Sequence, residues 1–203
     1  MRAKYLMAIV SVFGIVVLSS SCSTAKNYST RYYYQHEQTL SKIETSYSSI
    51  IQQTPFNIAF NNKAFTTLTF EIKTDALTYR YEFGATEQRL TDTLVKYHLD
   101  AARITQLVAD MQSIRCIWIN NLDYYVDDKK KSLVFISIKT SASRSLFGYK
   151  KYYILTYFTQ PQYFDEQGRL MLRRKRKEIH KINGDIFRRI NDKICYTISE
   201  QYR

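Results

Sequence analysis

Two runs of strict alternation between residues 67 and 83 constrain this chain most. Leu68, Phe70 and Ile72 alternate with Thr67, Thr69, Glu71 and Lys73; after Thr74-Asp75, Leu77, Tyr79, Tyr81 and Phe83 alternate with Thr78, Arg80 and Glu82. A strand points successive side chains to opposite faces, so each run has one apolar and one polar side. The pair predicts an antiparallel hairpin over 64–84 with one face on a core and the other wet. The rest of the chain must then supply a cover for the apolar face.

Helical spacing supplies it. Over 28–53, Leu40, Ile43, Tyr47 and Ile50 recur at helical steps, with Tyr33 one heptad before Leu40, and Thr54-Pro55 ends the run. Over 91–113, Leu94, Tyr97, Ala101, Ile104, Val108 and Met111 predict one helix capped by Thr91 or Asp92, with Asp100 facing solvent. Ile182, Ile186, Ile190, Ile194 and Ile198 fall every fourth residue and predict a C-terminal helix over 185–199. Strands are expected at 114–120, with Cys116 and Trp118 on one face, at 132–139, apolar on both faces and therefore central, and at 149–158. The stretch 120–131 is expected as a charged turn. Asp165 to Gly168 is expected as a turn, with Leu170 to Arg174 pairing back. The fold class expected is α+β: a mixed or antiparallel sheet of about six strands flanked by N-terminal, middle and C-terminal helices.

Met1 to Cys22 follows a different grammar. Arg2 and Lys4 precede an apolar run from Tyr5 to Leu18, then Ser19, Ser20, Ser21 and a cysteine. A charged start, a short apolar core and small residues before a cut site make a secretory signal peptide. The run is shorter than the roughly 20 residues a spanning helix needs. It also resembles a bacterial lipoprotein signal, in which cleavage falls just before the cysteine and that cysteine is acylated. Ser19 stands where such signals usually carry Leu; Leu18 is one residue earlier. The resemblance implies a signal over 1–21, lipid on Cys22, a tether over 22–30 and a single domain over 31–203. With Ser23 after the cysteine, it implies the outer membrane, periplasmic side rather than cell surface.

Loss of residues 1–21 removes Arg2 and Lys4, so the formal charge of +12 becomes +10 over 182 residues. A basic exported chain suits a membrane, an anionic lipid or glycan, or an acidic protein; export argues against nucleic acid. Arg173, Arg174, Lys175, Arg176 and Lys177 form the densest cationic run and are the residues expected to meet an anionic surface. The alternative for that run is a solvated edge strand that its charge keeps from pairing.

Catalytic signatures are missing from the sequence. Ser23-Thr24-Ala25-Lys26 matches SxxK without its companion motifs, and no GxSxG, glycine-rich phosphate loop or HExxH is present. His36, His98 and His180 do not pair at helical spacing. Asp123, Asp127 and Asp128 cluster without the spacing or turn glycine of a calcium loop. Glu71, Glu82, Asp100 and Asp110 are the carboxylates a hydrolytic site could draw on. No metal or cofactor is expected. Cys116 and Cys195 could pair in an oxidising compartment, closing a loop worth about 4 kcal/mol in the chain-entropy model; two separate buried thiols are the alternative. The function expected is a lipid-anchored, non-catalytic envelope module that binds a protein partner or an anionic envelope surface. An envelope hydrolase or an immunity-type inhibitor are the alternatives.

Overall fold

In the computed structural model, which describes residues 25–74, 76–126, 129–142, 150–171 and 186–199, the expected hairpin is one corner of an eight-stranded antiparallel sheet. The chain runs through helix α1 (residues 25–35), α2 (Glu37–Ile50), strands β1 (Phe56–Phe60), β2 (Thr67–Lys73) and β3 (Thr78–Gly84), helices α3 (Gln88–Lys96) and α4 (Ala101–Ser113), and strands β4 (Trp118–Val126), β5 (Lys129–Ala142), β6 (Lys150–Phe158), β7 (Arg188–Arg189) and β8 (Ile194–Ser199). Across the sheet the order is β3-β2-β1-β4-β5-β6-β8-β7. The α+β class therefore holds, with more strands than expected.

The helices cover one face. Leu40, Ile43, Tyr47 and Ile50 of α2 are buried, as their spacing requires. They join Ile104, Leu107, Val108 and Met111 of α4 against Phe56, Ile58, Phe70, Ile72, Ile119 and Ile136. Burying each such side chain contributes about 1.5–3 kcal/mol. Lys42 of α2 reaches Asp110 of α4 at 2.9 Å and ties the two helices at their outer edge. Residues 25–30, expected as tether, are already helical, with Ala25 and Ser29 buried.

The middle helix is two helices. His98 takes φ 55°, in the left-handed region that ends a helix, and Asp100 caps α4 by accepting from the Arg103 N–H at 3.0 Å. Asp100 is thus exposed but not idle. The apolar steps across 94–101 run on as if unbroken, which hides the joint.

The C-terminal helix expected over 185–199 is replaced by β7 and β8. A repeat of four is also a multiple of two, so Ile194 and Ile198 share a strand face with Tyr196. Ile194 and Tyr196 join the helix-side core, while Cys195 turns to the other face. Ile182 lies outside the described residues.

Two further corrections concern β4. The region expected as a charged turn is a long hairpin: β4 pairs with β5 from Trp118↔Ser137 to Val126↔Lys129. Cys116 and Trp118 do not share a face; Cys116 lies in the helix-side core and Trp118 in the opposite one. The Ile117 N–H donates to the Ser137 carbonyl while Trp118 is the register partner of Ser137, so two residues oppose one and the alternation slips. β5 lies inside the sheet, as its two apolar faces predicted. The Asp165–Gly168 turn forms, with Gly168 at φ 73°, and Phe164 bridges to Leu170.

Candidate functional site

The helix-free face of the sheet has two halves. Over β4, β5, β6 and β8 it is apolar: Trp118, Leu133, Phe135, Ile154, Phe158 and Cys195 make a second core, capped by Leu170 and Phe187. Over β1, β2 and β3 it is polar, because the residues that alternate with the helix-side core are Asn57, Thr69, Glu71, Lys73, Arg80 and Glu82. A groove of about 570 Å³ lies where the halves meet. Asn57, Asn61, Thr69, Glu71, Arg80 and Asn120 line it, with Trp118 and Tyr152 at its apolar side.

Its polar groups are held lightly. The Asn57 amide donates to Glu71 at 3.3 Å, and the Arg80 guanidinium stands 3.9 Å from the same carboxylate. Thr69 donates to Asn61 at 2.9 Å. The Asn57 side-chain oxygen is buried with no hydrogen-bond partner among the described residues. Such a set of amides, a hydroxyl and one loose ion pair suits hydrogen bonding to a polar chain. Among the described residues its lining holds no histidine or cysteine, and Glu71 is its one carboxylate.

β3 closes this side of the sheet as an edge strand, paired with β2 alone among the described residues. Its outer surroundings are aromatic and apolar. Leu77 is 60% exposed and Tyr79 38% exposed. The Tyr81 and Tyr97 hydroxyls lie 2.6 Å apart, and the Tyr79 ring stands 5.6 Å from that of Tyr97. Val95 of α3 is also exposed.

A second hollow, of about 600 Å³, opens between α1, α2 and the ends of β6 and β8, lined by Tyr33, Glu37, Ser41, Glu44, Tyr157 and Lys193. The Tyr33 hydroxyl donates to Glu37 at 3.0 Å and accepts from Asn191 at 3.3 Å. Burial, reinforced by Glu37, pushes the Tyr33 phenol up to about 12. Burial likewise pushes the Tyr157 phenol up.

Of the residues singled out from sequence, Cys22, Asp127, Asp128, Arg173 to Lys177 and His180 lie outside the described residues. Cys116 and Cys195 are both buried free thiols, and they belong to cores on opposite faces of the sheet, so no bridge joins them. Burial pushes the Cys195 thiol up to about 12 and the Cys116 thiol higher still. The four carboxylates do not converge as a group. Glu71 and Glu82 lie on the polar half-face, Asp100 caps α4, and Asp110 holds Lys42 and accepts from Gln106. His36 sits at the joint of α1 and α2 with its ring 4.6 Å from that of Tyr32. Among the described residues no group of three His, Cys, Asp or Glu could hold a metal ion, and no helix is long and apolar enough to cross a membrane.

Sequence reasoning missed the groove. Asn57, Asn61 and Asn120 carry no motif, and only the sheet order brings β1 between β2 and β4. The alternation of Phe56, Ile58 and Phe60 around Asn57 and Ala59 was the available signal for β1. No known protein family, curated protein or solved structure matches this chain.

Proposed function

We propose that this chain is a lipid-anchored envelope protein, tethered through Cys22 to the periplasmic side of the outer membrane, that works as a non-catalytic binding module for a protein partner. The anchor part of this proposal rests on the signal grammar of Met1 to Cys22. The binding part rests on one observation: a seven-residue edge strand, β3, that pairs with β2 alone among the described residues, flanked by exposed Leu77 and Tyr79 and backed by the groove. An exposed edge is a template for a partner strand unless something covers or blunts it. Strand addition takes affinity from the main chain and specificity from side-chain pockets, which the groove and the Tyr79–Tyr97 cluster supply.

A photoactivatable crosslinking residue in place of Tyr79, in living cells, tests this. The expected result is one discrete adduct from position 79 and none from the same residue at Lys193, which precedes β8 and lines the second hollow rather than the groove. No adduct at 79, or the same adducts from both positions, overturns the binding surface.

A further inference from the structure

The end of the sheet where the chain enters the fold is cationic. One turn into α1, the Tyr28 ring meets Tyr153 edge-on at 5.5 Å, and Lys139 Nζ stands 4.3 Å from the Tyr28 ring centre. One turn further, the Tyr32 hydroxyl donates to the Ile114 carbonyl at 2.5 Å, beside Arg115, whose guanidinium donates to the Lys63 carbonyl at 3.2 Å. Lys150 opens β6 opposite Ala142, where the β5–β6 hairpin runs on past the start of β4. Lys26, Arg31, Lys63, Arg115, Lys139 and Lys150 therefore gather at one end of the strands. None of these six has a carboxylate partner among the described residues; Lys73, Lys96 and Lys193 elsewhere have none either, so it is the number gathered at one end that sets this region apart.

Like charges gathered without counter-charges repel one another, and an anionic surface relieves that cost. The same end is where the chain arrives from Cys22. Ala25 is three residues on, a reach of at most about 11 Å, so an acylated Cys22 holds this end against the bilayer. Tyr28 and Tyr153 are half-buried against the helix-side core, with Lys139 over both rings.

We propose that this end is a docking surface for anionic phospholipid head groups, which holds the sheet upright on the membrane with β3 and the groove turned sideways to the periplasm. The inference rests on the anchoring through Cys22 proposed above.

The full mature lipoprotein, reconstituted into vesicles of phosphatidylcholine alone or with added phosphatidylglycerol, gives the test. Flotation reads attachment, and the rate of lysine acylation reads contact. Lys26 and Lys150 should react about fivefold more slowly with phosphatidylglycerol present, the scale of one cation at an anionic surface. High salt should restore their rate, and Lys96 and Lys193 should be unchanged throughout. Equal rates for Lys26 and Lys150 in both vesicles, with the protein afloat in both, overturn this surface and leave the anchor standing. Flotation with the anionic vesicles alone, with Lys26 and Lys150 protected, supports the surface and removes the anchor. Flotation with neither removes both.

Discussion

Two buried hydroxyls, one reaching the sheet from α2 and one on β6, should answer deletion with opposite signs. Tyr47 is fully buried, and its hydroxyl donates to the Phe56 carbonyl at 2.7 Å, with Asn121 at 3.4 Å beyond. Tyr47→Phe leaves that carbonyl without its donor and should cost about 1–2 kcal/mol in urea unfolding. Thr156 is equally buried on the opposite face, between Phe135 and Cys195 in register, and its hydroxyl has no hydrogen-bond partner among the described residues. Thr156→Val keeps the shape, removes that penalty and should raise stability by about 1 kcal/mol. The tyrosines also set an alkaline limit. Burial raises the phenols of Tyr32, Tyr47 and Tyr157 above the ordinary 10.0 and that of Tyr33 to about 12. A raised folded pKa means that stability is intact below 10.0, where both states keep the proton. Above it the unfolded chain ionises first, so stability should fall from pH 10 and keep falling through 12. Unfolding titrations across that window check this; a flat stability would contradict the burial of these rings.

At the scale of elements, the joint between α3 and α4 depends on Asp100. Asp100→Ala removes the cap on the Arg103 N–H and should cost about 1 kcal/mol by denaturant unfolding. Asp100→Asn should cost much less. That joint also shows what the sequence could and could not disclose. The α2 stripe and the β2–β3 alternation were legible because each is a local period set against one buried face. The α3–α4 break was not, since the left-handed residue at His98 resets the backbone without disturbing the apolar steps. The isoleucines near the C-terminus misled because their spacing satisfies strand and helix alike, and pairing with β6 decides for strand. The slip at Ile117 and Trp118 arises from a partner, Ser137, far along the chain. The groove was illegible for the same reason. Arg80 reads as a solvent-facing strand residue until β1 brings Asn57 to Glu71 beside it.

For the whole molecule, the features fall into one arrangement. Helices cover one face; the other is capped over four strands and left polar over three. The chain enters at a cationic end, and the edge strand β3, paired with β2 alone among the described residues, runs along the side of the sheet. A protein held by its N-terminus and binding at its flank uses each of these. The claim that joins them is the tether, and fractionation of Cys22→Ala beside wild type tests it most directly. Wild type should stay in the outer-membrane fraction, resistant to a salt wash, and be protected from protease until that membrane is opened. Without the acyl chains the variant should lose that salt-resistant attachment. A variant that stays in the outer-membrane fraction through the same wash, as wild type does, would contradict lipid on Cys22 as the tether.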